Sequence, residues 1–104
     1  MPEFIEHRNV LYEEPKDVVS TKLVAAAILV DGYIWTGKRH CTLIQQASAD
    51  KKVYVPQKCQ GFWTDVGKYV SRKEGLAIAL WNNQIKKEDL INPRVLTSED
   101  LWKV

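Results

Sequence analysis

The chain has 104 residues, 45% of them hydrophobic and 27% charged, with a formal net charge of +2. That length makes one small domain, and so slight a positive balance lacks the basic stripe of a nucleic-acid binder. Two cysteines without a paired pattern exclude a disulfide scaffold, and the longest apolar run, Leu23 to Val30, is too short to span a bilayer. Met1 to Val10 carries Glu3, Glu6 and Arg8 and no apolar segment of the kind a secretory leader needs, so a cytosolic protein with reduced thiols is expected. A chain this short has a thin core, and association of copies is one way to bury more surface. Four Trp and four Tyr imply aromatic surface at an interface or a ligand.

Residues 1–21 read as an irregular arm with a short strand at Asn9 to Tyr12, and residues 22–104 as the core of a single domain. Lys22 to Asp31 is a strand whose run LVAAAILV lacks polar alternation, which predicts burial on both faces. Asp31-Gly32 is a two-residue hairpin signal leading into Tyr33 to Trp35. Thr36 stands where a helix cap is expected, with a helix over Lys38 to Ala47. Gly37 opens that helix, where a side chain would be unwelcome. Its buried face is either Cys41, Ile44 and Ala47 or His40, Leu43 and Ala47. Ala49 to Lys52 reads as a loop, and Val53 to Val55 as a short strand stopped by Pro56.

The most informative stretch is QGFWTDVGKYVSRKEGLAIALW, Gln60 to Trp81. Gln60 to Thr64 reads as a strand, Asp65-Val66-Gly67 as a turn using the positive φ open to glycine, and Lys68 to Val70 as the returning strand. Ser71 and Glu74 form a capping box, the hydroxyl taking the third helical amide and the carboxylate reaching back to the Ser71 amide. Leu76, Ala77, Leu80 and Trp81 then recur at helical spacing as one buried stripe. Gly75 inside the helix costs about 1 kcal/mol against Ala, which implies close packing there. Asn82-Asn83 ends the helix, because Asn tolerates the left-handed conformation. A polar connection with Pro93 leads to a tail, VLTSEDLWKV, that docks Leu101 and Trp102 through a short capped turn.

Gly32 to Leu43 laid over Gly67 to Ile78 keeps the turn Gly, the strand and the hydroxyl at one constant offset. The expected fold is therefore α+β, with antiparallel β-hairpins each followed by a helix, a ββα-ββα-like plan. Duplication and coincidence of spacing both account for it.

Two constellations could carry chemistry. Gly37-Lys38-Arg39-His40 gathers cationic and titratable groups at a helix N-terminus, whose amides also favour anions. It reads as a phosphate site or, more plainly, as a solvated basic turn. Arg39 leads it, because a planar guanidinium grips phosphate at two points. The spacing of a P-loop is absent. In the second, Phe62 and Trp63 are strand neighbours facing opposite ways, and Arg72 and Lys73 open the second helix. One ring is core and the other is free to stack on a base beside an arginine; the plain alternative is two core aromatics and a surface arginine. His7, His40, Cys41 and Cys59 fit no common metal spacing. No acid/base pair, nucleophile or Mg²⁺ site stands out, so no enzyme, metal or cofactor is expected.

The runs GKRHCTLI and QGFWTDVGKYVSRKEGLAIAL, then QI and a closing LTSEDLW, together resemble the first-described (type one) Thoeris anti-defence family of phage proteins. The likeness covers roughly Lys22 to Trp102. It implies a non-enzymatic sponge in the host bacterial cytoplasm. Such a sponge binds cyclic ADP-ribose isomers made by bacterial TIR proteins and keeps them from the Thoeris effector; some members also bind cyclic oligonucleotides of CBASS. It implies a symmetric homo-oligomer, a hexamer, with pockets between subunits, an aromatic ring for adenine and arginines for the pyrophosphate. On this chain the ring falls to Phe62 and the phosphate contacts to Arg39 and Arg72, with Arg94 a further candidate and His40 beside Arg39. Trp63 departs from the commoner aliphatic residue and leaves open which ring meets a ligand. The alternatives are a small accessory phage protein that binds nucleic acid or a protein partner, and a small hydrolase or lyase of nucleotides.

Overall fold

The computed structural model describes residues 5–16, 18–20, 22–51 and 59–90, and Leu96. Strand β2 (Leu23–Val30) turns into β3 (Tyr33–Gly37) through Asp31 and Gly32. Their φ angles of 52° and 83° are the paired positive values that a type I′ turn demands. Helix α1 spans His40–Lys51. Strands β4 (Gln60–Thr64) and β5 (Tyr69–Ser71) form the second hairpin, and helix α2 (Arg72–Trp81) follows without a break. In that hairpin Gly67 N–H donates to Thr64 O at 3.1 Å and Thr64 N–H to Lys68 O at 3.0 Å. Gly67, at φ 74°, is the left-handed residue of a three-residue hairpin loop. The N-terminal arm adds β1 (His7–Leu11). All pairings are antiparallel, and the five-stranded sheet runs β1-β3-β2-β4-β5.

Strand β2 lies at the centre of the sheet and is buried on both faces, as its unbroken apolar run predicts. Its pairing with β4 skips a residue: Leu23 faces Thr64, but Ala25 faces Trp63. This bulge sets two β2 residues against one of β4 and puts Val24 and Ala25 on the same side. From there the faces alternate. Leu23, Ala26, Ile28 and Val30 pack with Trp35, Phe62, Val70, Leu43, Ala47 and Ala79 under the two helices. Val24, Ala25, Ala27, Ile34 and Trp63 form a second cluster on the opposite face, with Ile5, Tyr12, Leu29 and Tyr69 against it.

That second face curls in on itself. His7 of β1 and Trp63 of β4 meet edge-on with ring centroids 5.4 Å apart, although β3 and β2 lie between their strands. Three steps of a flat sheet would hold the two backbones about 14 Å apart. Beyond β1, Tyr12 touches Trp63 and Tyr69 edge-on, and its hydroxyl accepts from Tyr69 N–H at 2.9 Å. Bulges sharpen strand twist, and β1 has one too, between His7 and Val10, with Asn9 at φ 56°. Small residues fill the floor of the curl: Ala25 and Ala27, and Gly61, where a Cβ would come within 2.8 Å of the Tyr69 ring.

Several local expectations need correction. Thr36 does not cap α1. It lies within β3, where its hydroxyl accepts from His7 N–H at 2.6 Å, so α1 begins at His40 and runs on to Lys51 through the expected loop. At α2, Ser71 Oγ accepts from Glu74 N–H at 3.2 Å as expected. The Glu74 carboxylate, however, meets the Ser71 hydroxyl at 3.5 Å instead of the amide, because Ser71 still belongs to β5, opposite Gly61. The buried face of α1 is His40, Leu43 and Ala47. That of α2 centres on Gly75 and Ala79, with Leu76, Ile78 and Leu80 packed against the core. Ala77 is exposed and Trp81 is 87% exposed, so Trp81 is not part of the stripe. The helix ends as a Schellman turn: Gln84 N–H donates to Ala79 O, Asn83 N–H donates to Leu80 O, and Asn83 is left-handed at φ 58°. The expected strand at Val53 to Val55, Pro93 with Arg94, and the tail pair Leu101 and Trp102 lie outside the described residues.

Candidate functional site

A pocket of about 200 Å³ opens where β3 passes into α1, lined by Glu6, Thr36, Gly37, Lys38, Arg39, Thr42, Leu43 and Gln46. The local sequence accounts for its shape. Gly37 lies under Leu43, and a Cβ there would come within 2.9 Å of Leu43 Cδ2. Leu43 N–H donates to Arg39 O at 3.3 Å, so Arg39 stands at the start of the helix and Lys38 just before it. The first turn of α1 contains no acidic residue, so its positive end adds to the two cations. The GKRH expectation thus splits. Lys38 and Arg39 line a pocket together. His40 turns the other way, is buried at 5% exposure, and donates from Nε2 to Gly61 O at 2.6 Å with its ring edge-on to Phe62. It is the pin between α1 and β4.

The second constellation is not gathered at that pocket. Phe62 is wholly buried beneath α2, where a Cβ on Gly75 would come within 2.7 Å of its ring. This is the close approach that Gly75 implied. Trp63, on the opposite face as strand alternation requires, is 9% exposed and enclosed by His7 and Tyr12. Within one copy, both rings are therefore covered. Arg72 opens α2, and its Nη2 donates to Gln60 Oε1 at 2.5 Å. Arg94 lies outside the described residues. Among the described residues, no His, Cys, Asp and Glu side chains cluster as metal ligands would, and no described helix is long and apolar enough to cross a membrane. Cys41 and Cys59 are both free thiols.

Sequence reading missed three polar residues. Glu6 reaches the pocket from the arm, held there by the His7–Thr36 hydrogen bond of the next residue. Gln46, a turn beyond Thr42 on α1, forms another part of the wall; the spacing of Thr42 and Gln46, four apart on a helix, could have signalled it. Gln84 ties the end of α2 to β2, a contact across 61 positions that no local pattern records. On the curled face the Tyr69 hydroxyl is buried without a hydrogen-bond partner among the described residues. Burial, chiefly, pushes its pKa up to about 12, and burial likewise raises that of Tyr12.

A family model described as "Phage T4 y16D protein" matches residues 22–102. The match takes in β2 through α2 and the pocket residues from Thr36 to Gln46, but not Glu6. No curated protein and no solved structure matches the chain. The chain belongs to the phage T4 y16D protein family.

Proposed function

Taking membership of this phage family as the premise, we propose that the protein sequesters signalling nucleotides of the cyclic ADP-ribose type, and so shields a phage from Thoeris defence in the host cytoplasm. The observation that carries this reading is the pocket in which Lys38, Arg39 and the positive end of α1 converge beside the hydroxyls of Thr36 and Thr42. Fixed cations and a helix N-terminus are what a pyrophosphate needs. The motif likeness to the Thoeris anti-defence family supplies the rest: two phosphates and an adenine in the ligand, binding without turnover, and cyclic oligonucleotides as a second ligand class. The phosphate contacts rest on Arg39 with Lys38. Phe62 and Trp63 are covered in the single copy, so the reading rests on the cations and not on either ring.

The same proposal includes a symmetric homo-oligomer, with a hexamer as the state to test, and a chain built from two β-hairpin-plus-helix units. At about 200 Å³ the pocket is smaller than the roughly 300–1,000 Å³ of most small-molecule sites, so a ligand with two phosphates and an adenine extends past it, toward a second copy. The test is calorimetry against cyclic ADP-ribose isomers and cyclic oligonucleotides, followed by heat release of the bound material. Recovery of an unchanged ligand supports a sponge; a converted product makes the protein an enzyme. Absence of binding to the whole panel, with a salt-dependent shift of DNA, turns the reading to an accessory nucleic-acid binder.

A further inference from the structure

Glu6 is an unexpected neighbour for a phosphate. It brings a carboxylate into a pocket whose other charges, Lys38 and Arg39, are positive. Among the described residues it makes no ion pair and no hydrogen bond with its side chain. A carboxylate repels phosphate, and it accepts hydrogen bonds without donating any. A ligand that satisfies the whole pocket is therefore anionic at one end and donates hydrogen bonds at the other. A sugar phosphate has that pattern. Acidic side chains take ribose hydroxyls in the same way beside dinucleotide pyrophosphates, and a volume of about 200 Å³ suits a sugar phosphate and not a whole dinucleotide.

We propose that Glu6 is a specificity-determining residue that accepts a hydrogen bond from a ribose hydroxyl of the ligand, while Lys38 and Arg39 take the adjoining phosphate. The ligand class is a ribonucleotide phosphate with an unblocked sugar hydroxyl. The inference rests on the nucleotide-binding reading of the same pocket. It adds a residue outside the stretch 22–102 that the family model matches, so the arm contributes to selection and not only to the sheet. A purely structural role for Glu6 is the alternative: a counter-charge to the N-terminus of α1, whose own first turn has no acid.

The test is calorimetry on the full chain with four probes, inorganic pyrophosphate, ADP, 2′,3′-dideoxy-ADP and cyclic ADP-ribose, on the parent, Glu6→Ala and Glu6→Gln, with a melting curve for each. In the parent, ADP should bind about tenfold or more tightly than the dideoxy probe. Glu6→Ala should bring that ratio to near one, and Glu6→Gln should strengthen pyrophosphate binding by removing the repulsion. A ratio near one in the parent, or a ratio unchanged in Glu6→Ala, overturns the inference and leaves the nucleotide reading standing. A lowered melting temperature with equal losses for ADP and the dideoxy probe makes Glu6 a support for α1 and also overturns it. If cyclic ADP-ribose binds but neither pyrophosphate nor ADP does, the phosphate site lies elsewhere and the inference falls alone. If nothing binds, both readings fall.

Discussion

The side-chain amide of Gln84 pairs with the backbone of Leu23 as a neighbouring strand would. Its Oε1 accepts from Leu23 N–H at 2.7 Å and its Nε2 donates to Leu23 O at 2.8 Å. Leu23 is fully buried and sits at the edge of the β2 bulge, where the regular ladder to β4 is interrupted. Gln84→Ala leaves two backbone groups without this partner, at about 1–3 kcal/mol each if they stay dry. The expected result is a lower urea midpoint with an unchanged slope. Gln84→Glu keeps the acceptor but sets a carboxylate oxygen where Nε2 donates to Leu23 O, so it should also fall below the parent.

Gly75 and Phe62 form a matched pair. Gly75→Ala gains about 1 kcal/mol of helix propensity, but its new methyl group meets the Phe62 ring at 2.7 Å, and overpacking of this kind costs about 1–3 kcal/mol. The variant should be less stable than the parent, and the further change Phe62→Leu should recover part of the loss, since residues in contact are coupled. Phe62→Ala alone should lower stability by about 3–5 kcal/mol. Thermal melts of the two single variants and the double variant check all three.

Tyr69 sets an alkaline limit. Its pKa rises from the ordinary 10.0 to about 12 in the folded chain, chiefly through burial. Below pH 10 both the folded and unfolded phenols keep their protons, and stability does not depend on this group. Between pH 10 and 12 the unfolded phenol ionises first, so stability falls as pH rises. Tyr69→Phe should flatten that fall, and should be neutral or stabilising at pH 7 because the hydroxyl has no partner among the described residues. Urea melts from pH 7 upward measure both effects.

Arg39 and Arg72 should separate cleanly. Arg39 lines the pocket, so Arg39→Ala should weaken nucleotide binding by about 10- to 150-fold, the loss of one charge-assisted contact. Arg72 is bonded to the buried Gln60, so Arg72→Ala should lower the melting temperature. Calorimetry and thermal melts on the two variants make the comparison. An Arg39→Ala protein that stays folded and binds as the parent does removes Arg39 from the site.

What could be read in advance follows the range of the interactions. The two hairpin turns, the Ser71 cap and the Asn83 stop are set by residues a few positions apart, and each has a residue-type signature; Gly75 was legible only as a glycine out of place in a helix, since the Phe62 ring that demands it lies on β4. Thr36 misled because a hydroxyl before a basic helix looks the same whether it caps that helix or, as here, bonds to β1 across 29 positions. Trp81 misled because helical periodicity gives a stripe but not its width, and the core under α2 is already filled by the Phe62 ring. Within the site, Lys38 and Arg39 were legible as a basic helix start. Glu6 was not, because its place depends on β1 pairing with β3. The β2 bulge, which fixes the facing of Val24 and Ala25, left no mark in an unbroken apolar run.

The irregularity at Asn9 bears on how copies of the chain can meet. An exposed sheet edge invites another chain to add its own strand, and a kink in the edge is one way proteins discourage this. Strand β1 forms one edge and is broken by the left-handed Asn9; β5, the other edge, is three residues long. Neither presents a straight, extended ladder of backbone groups. Edge-to-edge pairing of sheets is therefore disfavoured at both described edges, which leaves side-chain surfaces as the ground on which copies would meet.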